Sequence, residues 1–143
     1  MSASGGMRAS ATGLMMVAVI ACASAAMGCG GEDECEFDAV TRSVGGIGLM
    51  DCGLASIEDT SSVDDCAVSA YQANHTFRAI YEQDDGGLEA LVHAAGDTYH
   101  LIRLSGEDES ITRADCAGGI FTQESGRRYI ACDDPEPFRA ACE

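Results

Sequence analysis

Two histidines of one predicted hairpin have the spacing that best fits metal chemistry. His93 and His100 lie on either side of a turn at Gly96 and Asp97. A two-residue turn would place position 93 directly opposite position 100, with the two imidazoles on one sheet face about 5 Å apart at Cβ. Such a pair is half of a transition-metal site. No third ligand is evident, because His75 is assigned to a helix end. A three-residue turn would separate the pair, and two solvated surface histidines are the alternative.

The other motifs of catalytic and cofactor-binding proteins are missing from the sequence. The glycines of residues 45–48 do not form GxGxxG, and no GxSxG serine motif occurs. Acid pairs such as Asp84 and Asp85 lack the DxDxDG spacing of a calcium loop, so they are interpreted as solvated loops. We therefore expect no cofactor and no catalytic residue, and the sequence favours a protein that is not an enzyme.

The cysteines predict structural disulfides. The chain has eight cysteines and no CxxC pair. The absence of that pair argues against a cysteine-based zinc site and against thioredoxin-type redox chemistry. Six are widely spaced after the N-terminal leader: Cys35, Cys52, Cys66, Cys116, Cys132 and Cys142. In an oxidising compartment they form three disulfides, each contributing about 2–4 kcal/mol. The expected pairing is Cys132–Cys142, Cys66–Cys116 and Cys35–Cys52.

The first 28 residues have the pattern of a removable export signal. Arg8 precedes an apolar stretch at residues 14–27, and an acidic run begins at Glu32. The stretch has 14 residues, whereas a membrane-spanning helix needs about 20. The abrupt change from apolar to acidic also argues against a buried core helix. The sequence therefore predicts a signal peptide over residues 1–28.

The end of this segment resembles the lipobox of bacterial lipoproteins. Residues 25–29 read AAMGC, with small residues before a cysteine, and a second match ends at Cys22. The resemblance implies that the thiol of Cys29 is acylated, that a peptidase cleaves before it, and that the new amine receives a further chain such as palmitate. Cys29 is preferred over Cys22 because cleavage there leaves an even six cysteines. In such lipoproteins an Asp directly after the cysteine favours the inner membrane, so Gly30 at this position indicates the outer membrane. A secreted soluble protein is the alternative.

The periodicity of the remaining chain predicts an α+β fold. Cys66, Ala70, Ala73 and Phe77 share one face of a helix over residues 63–75. Alternating residues then predict a three-strand meander over 77–104, with shorter strands near 111–115, 119–122 and 128–132. Residues 37–50 are interpreted as a glycine-interrupted strand or a loop. After a tether at 29–36, we expect one small domain over 37–143: one helix packed on a curved antiparallel sheet of four to six strands, disulfide-linked.

Three apolar residues do not fit this single-faced sheet. Ile80, Leu91 and Ile102 fall on its nominally polar face. A second buried face, a concave pocket or an error in the assigned register would each explain them.

Charge limits the partners of this domain. The formal net charge is −16, which disfavours nucleic acid and any electrostatic attachment to an anionic bilayer. Attachment to the membrane is therefore expected through the acyl chains alone. The expected function is a non-catalytic, lipid-anchored envelope module that binds a protein, a glycan or a small molecule. An envelope hydrolase of unidentified type and a structural surface lipoprotein are the alternatives.

Overall fold

The computed structural model describes residues 35–142 as a layered α+β domain, which confirms the predicted fold class. Its helices are α1 (Phe37–Gly45) and α2 (Ser61–Gln72). Its strands are β1 (Met50–Ala55), β2 (Phe77–Glu82), β3 (Leu88–Ala94), β4 (Thr98–Leu104), β5 (Ile111–Cys116), β6 (Gly118–Glu124), β7 (Arg127–Asp133) and β8 (Arg139–Ala140). The predicted signal peptide and the acylated Cys29 lie outside the described residues.

An open six-stranded sheet is the centre of the domain. Its strand order is β1-β2-β3-β4-β5-β8, and β6 pairs with β7 in a separate two-stranded ribbon. The β1–β2 pair is parallel, and the other pairs are antiparallel. The predicted meander is confirmed as β2, β3 and β4, because alternating side chains and glycine-containing turns specify hairpins locally.

Both faces of the sheet are buried. One face packs against α2 and the β6–β7 ribbon, around Phe77, Leu91 and Ile130. The opposite face packs against α1, and its buried residues include Ile80 and Ile102. The second buried face therefore explains Ile80 and Ile102. Leu91 instead lies on the face of Phe77 and Ala79, so its apparent misfit came from an error in the assigned register.

The second face requires a helix that the sequence did not predict. The prediction of a strand or loop over residues 37–50 is wrong, because α1 occupies most of this range, and the expectation of one helix becomes two. Phe37, Val40 and Thr41 are buried at helical spacing against the sheet. The run of glycines at 45–48 obscured this pattern; Gly45 ends α1, and a Cβ there would collide with the Leu49 side chain.

Helix α2 is the helix predicted over residues 63–75, with different bounds. It begins at Ser61 and ends at Gln72, because the chain turns at Asn74, whose φ of 53° is left-handed. Its buried face contains Val63, Ala67 and Ala70, and small residues there let the helix approach the sheet closely.

The six cysteines form three disulfides, as predicted, but all three predicted pairs are wrong. The observed bridges are Cys35–Cys142, Cys52–Cys66 and Cys116–Cys132. Cys132 and Cys142 cannot pair because β7 lies in the ribbon over one sheet face, whereas Cys142 follows β8 at the sheet edge. The Cys52–Cys66 bridge fixes α2 to β1. The Cys35–Cys142 bridge joins the two ends of the described residues.

In the part of the chain that the structure describes, no helix combines the length and the apolar character needed to cross a membrane.

Candidate functional site

The two histidines predicted as a metal pair lie on opposite faces of the sheet. The observed register pairs His93 with Tyr99 and His100 with Val92. The β3–β4 connection contains three residues, with Gly96 and Asp97 both in the left-handed region. The predicted two-residue register is therefore wrong. Residues 35–142 contain no group of three or more potential metal ligands.

His93 has a structural role in the protein core. It is 2% exposed, which also contradicts the alternative of a solvated surface histidine. Its Nδ1 lies 2.8 Å from the carbonyl of His75, and its Nε2 lies 3.1 Å from a carboxylate oxygen of Asp97. The imidazole stacks on the Tyr99 ring with a centroid separation of 4.3 Å. His93 thereby ties the end of α2 to the β3–β4 turn.

His100 forms a buried pair with Asp115. Its Nδ1 lies 2.6 Å from Oδ1 of Asp115, whose carboxylate also accepts hydrogen bonds from Arg113 and Arg139. Burial lowers the pKa of His100 despite this carboxylate, and the hydrogen bond from Arg139 is the main cause of the lowered pKa of Asp115. An aspartate can orient a catalytic histidine, but this one is shared with two arginines, one of them on β8. The arrangement fixes the β8 edge of the sheet.

A different part of the domain forms a cleft, which we call the tyrosine cleft. It lies between β7 and the sheet, and it has a volume of about 390 Å³. Leu91, Leu101 and Ile130 form its apolar floor. Its rim combines Ile57 with polar and aromatic residues, which are Thr60, Tyr81, Glu82, Gln83, Glu89, Arg127 and Tyr129.

Asp64 fixes one wall of the tyrosine cleft. Its carboxylate, on the first turn of α2, accepts hydrogen bonds from Nε and Nη2 of Arg127 at 2.6 and 2.9 Å. It also accepts the Thr60 hydroxyl at 2.6 Å and the Tyr81 hydroxyl at 3.0 Å. Four donors from the α2 entry, β2 and β7 thus meet at one buried carboxylate. The ribbon is held at a fixed distance from the sheet, and the cleft is preformed.

The charges at this wall are mutually compensated. Burial raises the pKa of Asp64, but the hydrogen bonds from Arg127 and the two hydroxyls outweigh it and hold the pKa below its usual value. Burial and the adjacent carboxylate raise the pKa of Tyr81, so its hydroxyl remains a donor. The Arg127 guanidinium also lies 4.5 Å from the centroid of the Tyr129 ring, a cation–π distance.

Sequence reasoning missed this site because its members are far apart in the chain. Asp64 was recognisable only as an acid in the first turn of a helix, where it favours the helix dipole. Arg127 follows a turn at Ser125 and Gly126 and lies 63 positions after Asp64 in the chain. The one local signal is the pair of apolar residues Leu91 and Leu101 on this face of β3 and β4.

Comparisons of the chain with protein-family models, with curated proteins and with solved structures found no significant match.

Proposed function

We propose that this protein is a lipid-anchored envelope protein that binds a small ligand in the tyrosine cleft without converting it chemically. The observation that carries the proposal is the combination of an apolar floor with a rigid wall built on Asp64. Concave sites with an apolar lining and a few fixed polar groups are the usual form of small-ligand sites.

The polar groups of the wall support binding more than catalysis. Asp64 accepts four hydrogen bonds, and its partners Arg127 and Tyr81 direct their donors at it. These groups shape the cleft, and their hydrogen-bonding capacity is largely used within the protein. A general acid or base needs a proton position facing the substrate, which the arrangement at Asp64 does not offer.

The rim favours a neutral or cationic ligand with an apolar portion. Glu82 and Glu89 contribute carboxylates, while the charge of Arg127 is compensated by Asp64. Arg103 pairs with Glu89 and leaves Glu82 as an exposed acid beside the cleft. An anionic ligand would meet this acid and the net charge of −16.

The proposed anchor keeps the cleft close to a membrane. Cys29 precedes Cys35 by six residues, so the covalent tether spans at most about 20 Å when fully extended. Two or more acyl chains hold a protein stably at a bilayer. We place the anchor in the outer membrane of a bacterial envelope, with a secreted soluble form as the alternative.

Cysteine variants test the anchor. Cys29→Ser should move the protein from the membrane fraction to the soluble extracytoplasmic fraction in a bacterial host that acylates lipoproteins. Cys22→Ser is the matched control and should leave the protein in the membrane. The reverse pattern would assign the acylation to Cys22, and no shift in either variant would contradict a lipid anchor.

A neutral fluorescent dye tests the cleft. Nile red should bind the mature protein, and Leu101→Gln should weaken that binding about tenfold, because the floor loses apolar surface worth about 1.5 kcal/mol. Leu104→Gln is the control, because Leu104 is a half-buried residue of the same strand that packs on the opposite face. Equal dye affinity in both variants, with both remaining folded by circular dichroism, would contradict a binding site in the cleft.

A further inference from the structure

Exposed apolar side chains are concentrated in one segment of the domain. Six large apolar side chains are exposed between residues 35 and 142, and four of them lie within residues 47–57. They are Ile47, Met50, Leu54 and Ile57, with exposed fractions of 105%, 40%, 54% and 55%. We call this segment the apolar edge. Exposed apolar side chains concentrated in one segment commonly mark an interaction site; Ile57 also belongs to the rim of the tyrosine cleft.

The apolar edge coincides with an unpaired edge of the sheet. Strand β1 is the first strand of the sheet and pairs on one side with β2; no other described strand pairs with it. A disulfide between Cys52 and Cys66 fixes β1 to α2, so the strand is held in its extended form. Strands with a free edge can accept an extended peptide through backbone hydrogen bonds.

The irregular middle of β1 limits what can pair with it. The register shifts between Asp51 and Leu54, and the N–H of Gly53 donates to the Asp51 carboxylate at 3.0 Å. Such a bulge interrupts continuous pairing and disfavours stacking of many strands. The edge therefore suits one short partner segment.

We propose that the apolar edge binds an extended segment of a partner protein in which apolar and basic side chains alternate. Leu54 and Met50 supply apolar contacts for the partner strand. Of the three acids in residues 46–60, Asp51 is paired with Arg42 and Arg78, and the exposed Glu58 and Asp59 follow β1. Basic side chains of the partner complement these acids and the net charge of the protein.

The position of the chain end favours a protein partner over the lipid surface. Cys35, bonded to Cys142, lies beside β8 at the other edge of the sheet. Five strand spacings separate β8 from β1, a distance of about 24 Å. If Cys29 carries the lipid, as proposed above, the tether enters the domain at the edge opposite β1. Attachment at that edge does not by itself bring the apolar edge to the bilayer.

The same charges argue against a second copy of this chain as the occupant. Two copies with a formal charge of −16 each would repel one another.

A peptide-binding measurement on the mature, acylated protein in neutral detergent micelles tests this proposal. The probe is a fluorescein-labelled KVKVKV peptide, with EVEVEV as the charge-reversed control. KVKVKV binding, read by anisotropy, should fall at least tenfold in Leu54→Gln and stay unchanged in Ile120→Gln. Ile120 is the matched control because it is similarly exposed but lies on the ribbon. Hydrogen exchange of residues 50–55 should slow when KVKVKV is bound.

Four results would overturn the proposal. They are equal binding of the two peptides, no binding, unchanged exchange at residues 50–55, and equal affinity of the two variants. Partition of the micelle-free protein into phosphatidylcholine vesicles that depends on Leu54 would identify a lipid surface instead. A concentration-dependent dimer lost in Leu54→Gln would identify a second copy. Nile red binding to the detergent-free Cys29→Ser protein and the intact mass of the acylated protein report separately on the cleft and the anchor.

Discussion

Replacement of Asp64 by Asn perturbs the tyrosine cleft with the smallest change in shape. One side-chain oxygen remains able to accept from Tyr81 and from Nη2 of Arg127, which both bond to Oδ1. The new amide nitrogen takes the position of Oδ2, where Thr60 and Nε of Arg127 donate. The Thr60 hydroxyl and Nε of Arg127 then face an N–H donor instead of an acceptor, and the ion pair with Arg127 is lost.

The expected loss of stability is about 2–4 kcal/mol. Each hydrogen bond to a charged group contributes about 1.5–3 kcal/mol, and the Asp64 side chain is only 3% exposed. The net loss is smaller than the sum of these hydrogen-bond contributions, because Arg127 is 44% exposed and water can solvate its guanidinium in the variant. For a domain of this size such a loss lowers Tm by about 10–20 °C.

Urea unfolding followed by circular dichroism measures this effect, and Asp65→Asn is the matched control. Asp65 is the next residue of the same helix, and its pair with Arg128 joins side chains that are 67% and 55% exposed. Asp65→Asn should lower the free energy of unfolding by less than about 0.5 kcal/mol. Equal losses in the two variants would refute the claim that Asp64 organises the wall of the cleft.

The same pair of variants gives a pH signature. The pKa of Asp64 is lowered in the folded protein, so its contribution is fully present above the usual carboxyl pKa of 3.8. The contribution is lost as pH falls through the lowered pKa, because the native carboxylate must then be protonated. The stability deficit of Asp64→Asn should therefore be largest at neutral pH and shrink in acid. A deficit that grows below pH 4 would contradict this reasoning.

Two further predictions concern packing and cross-links. Gly119→Ala should destabilise the domain by about 1–3 kcal/mol, because the added Cβ would lie 2.5 Å from the Tyr99 ring. Gly118 has open space around it, so Gly118→Ala should lower the free energy of unfolding by less than about 1 kcal/mol. Equal urea midpoints of the two variants would contradict this. Alanine at both Cys35 and Cys142 removes a bridge with a sequence separation of 107 and should cost about 4–5 kcal/mol by loop-closure entropy, read as a lower thermal midpoint. An unchanged midpoint would mean that this bridge does not restrict the unfolded chain.

The parts of the fold that depend on neighbouring residues could be predicted from the sequence. The meander follows from alternation and from turn residues, and both are local. The predicted register of its second hairpin was wrong, because a three-residue turn with Asp97 in the left-handed region cannot be distinguished in sequence from a two-residue turn. That difference of one residue put His93 and His100 on opposite faces.

Long-range contacts could not be predicted from the sequence. Disulfide pairing depends on where the ribbon and β8 lie in space, and spacing along the chain carries little of that information. Arg127 reaches Asp64 only because β7 crosses over the sheet. Helix α1 is a different case: its helical spacing was present at Phe37, Val40 and Thr41, but the glycines after it favoured another interpretation.

Intact-mass analysis of the protein purified from membranes of a bacterial host, before and after reduction and alkylation, tests the central claim most directly. We predict an N-terminal Cys29 carrying the mass of two or three acyl chains, no alkylated thiol before reduction and six after it. A chain that retains residues 1–28, or that shows free thiols among the six cysteines without reduction, would contradict the account of a lipid-anchored, disulfide-linked binding domain.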